Sequence, residues 1–205
     1  MNAQSGSRAR MALPSMDISA AIAGRRSTRE YMQQPLEEET ILRLIRAATL
    51  APSAMNRQPW TFTVVQNQDV LDRVSRDAKA HMVATMSADL AAGARAEHAR
   101  PTLSDPKFHI FYHAPALILI SGNAPGPWIT EDCALAAENL MLMAHALGLG
   151  TCWIGFAQNY LNTLAGKREL GLPQHWVPVA PLIVGYPKTP PPAVARNEPD
   201  IHWVN

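Results

Sequence analysis

EDCALAAENLMLMAHALGLGTCWIGF, residues 131–156, is the stretch on which the reading of this chain turns. Leu135, Glu138, Asn139, Leu142 and Ala146 fall on neighbouring helical faces, and the segment is apolar almost all round. That pattern predicts a central helix over Thr130–Leu147 rather than a surface one. Gly148-Leu149-Gly150 stops it, and a short strand, Thr151 to Ile154, follows. The Gly-Leu-Gly sits after a helix, not between a strand and a helix, so a dinucleotide fingerprint is excluded.

Toward the N-terminus, Ala116–Ser121 reads as a buried strand, and Asp69 to about Arg100 has helical spacing with a weak, alanine-rich face, as one helix or two. Thr61–Val65 is β-branched and aromatic, hence a strand. A helix is expected after Pro35, with Glu37, Glu38 and Glu39 in its first turn, Ile41, Leu44, Ile45 and Ala48 as its buried stripe, and Pro52 as its stop. Another is expected over Asp17–Ala23, capped by Asp17, ended by Gly24, with Ile18, Ala21 and Ile22 on one face. Toward the C-terminus, Asn159–Leu170 reads as a short helix ending at Gly171. Val177–Tyr186 reads as a last strand, which Pro178 and Pro181 demote to an edge or a partly irregular element. TPPPAVARNEP, 189–199, reads as an extended tail. Helices and strands alternate too unevenly for a doubly wound sheet.

The 205 residues are 47% hydrophobic and 17% charged, enough for one cored domain and too apolar for a disordered chain. A net charge of +1 offers no field for nucleic acid or an acidic membrane, so any anion site must be local. Two cysteines, Cys133 and Cys152, make no disulfide framework and read as reduced, buried thiols. No apolar run is long enough to span a membrane. The first residues lack a secretory h-region and read as a floppy arm, with Met1 or Met11 as the start. The expectation is a cytoplasmic protein with an arm at 1–15, a domain at 16–187 and a tail at 188–205. His81, His98, His113 and His145 lack metal-ligand spacing with any acid or cysteine, so no metal site is expected.

Three segments carry chemistry. RRSTREY, 25–31, offers guanidinium forks and hydroxyls of the kind a phosphate dianion needs, or else a solvated basic turn at a helix end. APSAMNRQPW, 51–60, is a proline-stiffened loop whose Ser53, Asn56 and Gln58 could read the polar edge of a ring, or an ordinary turn with Trp60 as core. TCWIGF, 151–156, runs a strand into Gly155, where backbone can approach a flat ligand, or forms a buried strand with a bulge.

Taken in order, these three with FYHAPALILI (111–120), LGLP (170–173) and VPVAPLIVGYP (177–187) resemble the nitroreductase family of FMN-dependent enzymes, from about Ile18 to Pro187. The resemblance implies an α+β fold with a mixed, largely antiparallel sheet flanked by helices, in an intertwined homodimer. FMN would sit at the interface, with the C-terminal tail packing on the partner. It implies that Arg25, Arg26, Ser27 and Arg29 hold the phosphate and the pyrimidine side of the ring. Pro52, Ser53, Ala54, Met55 and Asn56 would reach the flavin from the partner chain, with Gln58 behind them. Trp153, Ile154 and Gly155 would lend backbone near flavin N5. Lys188 or Arg196, the latter favoured, would complete the phosphate site.

Some relatives carry an acid where this chain has Ile154, so only backbone donors are expected there. The implied chemistry is ping-pong transfer from NADH or NADPH through FMN to a nitroaromatic, a quinone or a similar electron-poor molecule, with no obligatory side-chain acid or base. Dehydrogenation or dehalogenation of a specialised metabolite, flavin breakdown and a non-enzymatic flavin-binding role are the alternatives. Phe108, Tyr112 and Trp128, with His109, are candidate substrate contacts, against ordinary packing.

Overall fold

A computed structural model describes residues 16–88 and 100–204. Its helices include α1 (Ile18–Gly24), α2 (Glu38–Ala48), α3 (Gln68–Ala88), α4 (Ile129–Ala146), α5 (Gly155–Leu161) and α6 (Leu164–Glu169), with a 3-10 turn at Ala54–Asn56. Its strands are β1 (Trp60–Val65), β2 (Ala116–Gly122), β3 (Gly150–Trp153) and β4 (Val177–Gly185). They form one sheet in the order β1-β2-β4-β3, antiparallel at every pairing.

Strand alternation sorts β2 onto two cores. Ala116, Ile118 and Ile120 face α2 and α4, together with Ala180, Leu182 and Val184 of β4. Leu117 and Leu119 face the other way with Ile183, against Leu71 and Val74 of α3 and Leu161 of α5. Every residue of β2 is buried, which is why it reads as an unbroken apolar run. The central helix α4 packs against α1, α2 and all four strands. No helix among the described residues is long and apolar enough to cross a membrane.

The start of α1 is capped as expected, Asp17 accepting the Ser19 amide at 3.2 Å. Its face divides, however: Ala21 is buried while Ile18 and Ile22 stay open. In α4 the buried residues are Ile129, Asp132, Cys133, Ala136, Ala137, Leu140, Met141 and Ala144, whereas Leu135, Glu138, Asn139, Leu142 and Ala146 remain partly or largely exposed. The helix is apolar all round, yet within one chain only one side of it is covered.

Two expectations are corrected. Of the two alternatives for the last strand, the edge is excluded, since β4 lies between β2 and β3, while the partly irregular element holds, since its pairing with β2 is interrupted. Its prolines are tolerated because β3 pairs only with Leu182–Gly185, and the β2 register shifts between Ile120 and Ser121, opposite the proline-bearing half. The segment Asn159–Leu170 is not one helix. Asn162 donates to the carbonyl oxygens of Gln158 (2.9 Å) and Pro178 (2.8 Å), and Thr163 restarts the chain by accepting the Gly166 amide at 3.1 Å. Of the Asp69–Arg100 segment, residues 89–99 lie outside those described, as does the 1–15 arm.

Candidate functional site

Past α1 the chain runs extended beside β3. Ser27 bridges Thr151 in parallel fashion, and the Thr28 amide donates to the Thr151 oxygen at 2.9 Å. A side chain at Gly150 would collide with Thr28, so the glycine is what permits this approach. Beyond it, Tyr31 pairs with Pro187, its hydroxyl donates to the Thr28 oxygen at 2.7 Å, and the Lys188 amide donates to the Glu30 oxygen at 3.0 Å. Burial pushes the Tyr31 hydroxyl far above its ordinary pKa, so it stays a neutral donor. The arginine segment is thereby fixed between the end of β4 and the start of β3.

The three guanidinium groups are used differently. Arg25 Nε lies 3.4 Å from Glu138 Oε1 on α4, with the arginine side chain mostly covered. Arg26 turns back on the end of α1, donating through Nη1 to the oxygens of Ala23 (2.6 Å) and Arg25 (2.8 Å). Its Nε is buried without a partner. The Arg29 guanidinium carbon stands 6.0 Å from the centre of the Tyr112 ring. Cys152 reports the field of this cluster. Burial raises its thiol pKa, opposed by the Arg29 charge, a hydrogen bond with Ser27 and the Arg25 charge. His145, packed on Gly24, has its pKa lowered by burial and then by Arg25 and Arg26.

The end of β3 lies in the same neighbourhood. The Ile154 amide is already committed to the Pro181 oxygen at 2.8 Å and its side chain is buried. Gly155 opens α5, so its amide has no acceptor within the helix. A Cβ built on it would meet nothing within 4 Å. Of the two backbone donors expected here, only Gly155 is unspent. The tail passes close by: Ser27 to Glu30 and Thr189 to Pro192 enclose a hollow of about 180 Å³. Lys188 is anchored beside it through its backbone, while Arg196 is exposed and its side chain has no partner among the described residues.

The loop 52–58 stands elsewhere, tethered to the first turn of α4. Asp132 Oδ1 accepts the Ala54 amide at 2.9 Å. Ser53 Oγ accepts the Gln58 amide at 2.9 Å, and Gln58 Nε2 donates to Asn56 Oδ1 at 2.9 Å. Met55, Asn56 and Gln58 all have positive φ (54°, 53° and 48°), a dense run of left-handed non-glycine residues. Trp60, beyond the loop, is core. Among the described residues no hydrogen bond or ion pair joins this loop to the arginine segment; each is tied to α4 on its own, the loop through Asp132 and the arginine segment through Glu138. The candidate substrate residues divide in the same way. Phe108 and Tyr112 meet edge-to-face at 5.7 Å beside Arg29, whereas exposed Trp128 lines a pocket of about 390 Å³ with Ala54 and Met55.

Sequence spacing missed Glu138, His145 and Asp132 as the α4 partners of these segments, because they lie from 78 to about 120 residues away in the chain. It also missed a trio that folding assembles. Asp72, His109 and His113 bring ligand atoms within 4.8 Å of one another. The protons there are already assigned: the Phe111 amide donates to His109 Nδ1 (3.2 Å), which leaves Nε2 as the protonated nitrogen facing Asp72 Oδ1 at 3.1 Å.

The family model described as the Nitroreductase family matches residues 22–186. This chain belongs to the nitroreductase family. It is 30% identical over 190 residues to a protein of Methanothermobacter thermautotrophicus named as an NADH dehydrogenase/NAD(P)H nitroreductase, covering 90% of this chain and 85% of that one. It is 28% identical over 186 residues to a 5,6-dimethylbenzimidazole synthase of Rhodospirillum rubrum, covering 83% and 82%. A crystal structure of a Bacteroides fragilis nitroreductase with bound FMN superposes with a TM-score of 0.78 at 25% identity, covering 93% of this chain and all of that one. The fold is therefore the nitroreductase fold, as the motif order implied.

Proposed function

We propose that this nitroreductase-family chain is an FMN-dependent oxidoreductase that takes electrons from NADH or NADPH and delivers them to an electron-poor acceptor such as a nitroaromatic or quinone. The observation that carries this is the pairing of the Arg25–Arg29 segment with β3 through Ser27, Thr28 and Thr151, on the strand that leads into Gly155, where a Cβ would meet nothing within 4 Å. The residues fit the coenzyme on their own chemistry. A phosphate needs guanidinium forks and a hydroxyl, and a flat ring needs a place where no side chain projects, as at Gly155, where a Cβ would meet nothing within 4 Å.

In this reading Arg25, Arg29 and Ser27 grip the phosphate and pyrimidine side, and Lys188 or Arg196 closes the site from the tail. Positive charge there and the Gly155 N–H favour an anionic reduced ring. Two copies of the chain complete the site. Pro52 to Asn56 of one protomer reach the coenzyme held by the other. The 188–205 tail packs on the partner. When bound, FMN passes two electrons from the nicotinamide to the acceptor; the chain positions the reactants and needs no side-chain acid. Two unpaired, buried thiols suit a reducing cytoplasm.

The test is colour and its loss. Purified protein is expected to be yellow, to bleach anaerobically with NADH or NADPH, and to regain colour with menadione or a nitrofuran. Yellow protein inert to both nucleotides would point to another donor or a sensor. Colourless protein that takes up no FMN would end the proposal.

A further inference from the structure

The pocket between the 52–58 loop and the start of α4 has features that an ordinary surface hollow lacks. Its volume of about 390 Å³ lies in the range of small-molecule sites. Its walls are mainly apolar, with Met55, Pro59 and Ile129 around the broad, exposed face of Trp128. Two charged residues line it. Asp132 is buried, occupied by the Ala54 amide, and placed in the first turn of α4, where the helix dipole offsets its charge. Arg57 is exposed, and among the described residues its side chain has neither hydrogen bond nor ion pair. The backbone that carries it is fixed on both sides. The residues on either side of it, Asn56 and Gln58, have positive φ and are joined to each other by their side chains, and Ser53 fixes the Gln58 amide. Left-handed backbone at non-glycine residues costs energy and persists where surrounding structure imposes it, commonly at ligand sites.

We propose that this pocket takes a single-ring aromatic acceptor bearing a carboxylate, with Trp128 stacking on the ring and Arg57 pairing with the carboxylate. The guanidinium fork matches a carboxylate in two parallel hydrogen bonds, and an indole face suits a flat ring. The inference rests on the function proposed above, because Ala54 and Met55 line this pocket and belong to the loop assigned to the coenzyme. For a nitrobenzoate the balance is simple. NAD(P)H supplies two electrons and one proton, solvent supplies a second proton, and the nitro group becomes a nitroso group with release of one water. The carboxylate is untouched and serves only for recognition.

The experiment pairs binding with turnover on the dimeric, flavin-loaded protein. Calorimetric titration with benzoate and methyl benzoate reads the pocket without any reaction. Turnover of 4-nitrobenzoate and its methyl ester reads selectivity. The wild type is expected to prefer the acid by about tenfold or more in kcat/KM, the scale of one charge-assisted pair. Arg57→Gln should weaken benzoate about tenfold and bring the acid-to-ester ratio near one through KM, with Arg57→Lys between them. Trp128→Ala should weaken acid and ester together. Equal handling of acid and ester by the wild type, or an unchanged benzoate affinity in Arg57→Gln, overturns the inference. Flavin absorbance in the same samples keeps the two readings apart. Without flavin uptake the underlying function fails, whereas flavin-loaded protein that reduces the ester and ignores the charge fails the pocket alone.

Discussion

Asp132, in the first turn of α4, accepts the backbone amide of Ala54 at 2.9 Å across 78 residues of chain. This one bond fastens the strained loop to the helix on which the molecule is built. Asp132→Ala leaves a part-buried donor unpaired, at a cost of about 1–3 kcal/mol. The urea midpoint should fall accordingly, and limited proteolysis should shift to the bonds around Met55. If the loop reaches the coenzyme, FMN affinity should drop as well. Unchanged proteolysis would mean that Ser53 and Gln58 hold the loop unaided.

The arginines can be told apart. Arg25→Ala and Arg29→Ala should release FMN with little change in stability, since the partly exposed Arg25–Glu138 pair contributes little. Arg26→Ala should do the reverse, losing about 1 kcal/mol with its two bonds to the end of α1 while FMN stays bound. Flavin fluorescence quenching and denaturant midpoints separate the two effects. Unchanged FMN affinity in Arg25→Ala would contradict the assignment of the phosphate site.

The glycines give a contrast of their own. Gly150→Ala drives a methyl into Thr28 and Gly166→Ala drives one into the Tyr160 carbonyl, each costing about 1–3 kcal/mol or more. Gly155→Ala meets nothing within 4 Å and should fold normally, yet its methyl would occupy space reserved for the ring. Normal melting with reduced flavin content is the expected result. Full flavin content would place the ring elsewhere.

How much of this was legible in the sequence follows from what each signal depends on. Helix and strand positions were readable wherever burial imposed a pattern, an unbroken apolar run in β2 and a helical period in α2. The prolines of the last strand signalled its irregular pairing but left an edge position open, because the short span of β3 that accommodates them cannot be seen from β4. The segment after Asn159 read as one helix because Asn162 breaks it through a bond to Pro178, sixteen residues away. Within the site, residue types and motif order exposed the arginines and the loop. The use of Arg26 as a helix cap, and the commitment of the Ile154 amide to Pro181, depend on tertiary geometry with no local trace.

Acid should destabilise the fold through two histidines. His145 is held below its usual pKa by burial and then by Arg25 and Arg26, and His109 by burial and then by His113. The unfolded chain therefore binds protons at a higher pH than the native one. Their contribution is intact above the unfolded value of about 6.5, and it is lost as pH falls from there through the lower native values. The urea midpoint should decline between pH 7 and pH 5, and His145→Gln should reduce the decline. A profile flat over that window would show that neither ring is held neutral by the fold.

The open apolar face sets the last expectation. Ile18, Ile22 and Leu50 are 62%, 61% and 82% exposed. Beside them, Leu142, Met143 and Ala146 of α4 line a shallow hollow of about 310 Å³ with Ile18 and Leu50. A helix apolar on all sides should be covered on all sides, and burying one such side chain is worth about 1.5–3 kcal/mol. This face includes α1, whose end leads directly into Arg25, so whatever covers it lies next to the arginine segment. A second copy would bring its own 52–58 loop and tail within reach and supply what one chain lacks. Sedimentation equilibrium should therefore return about twice the 22.4 kDa chain mass. Ile22→Lys combined with Leu50→Glu should halve that mass and release the flavin together with it. A wild-type protein that runs as a single chain and still holds FMN would separate the arginine site from the seam, and the loop would need another role.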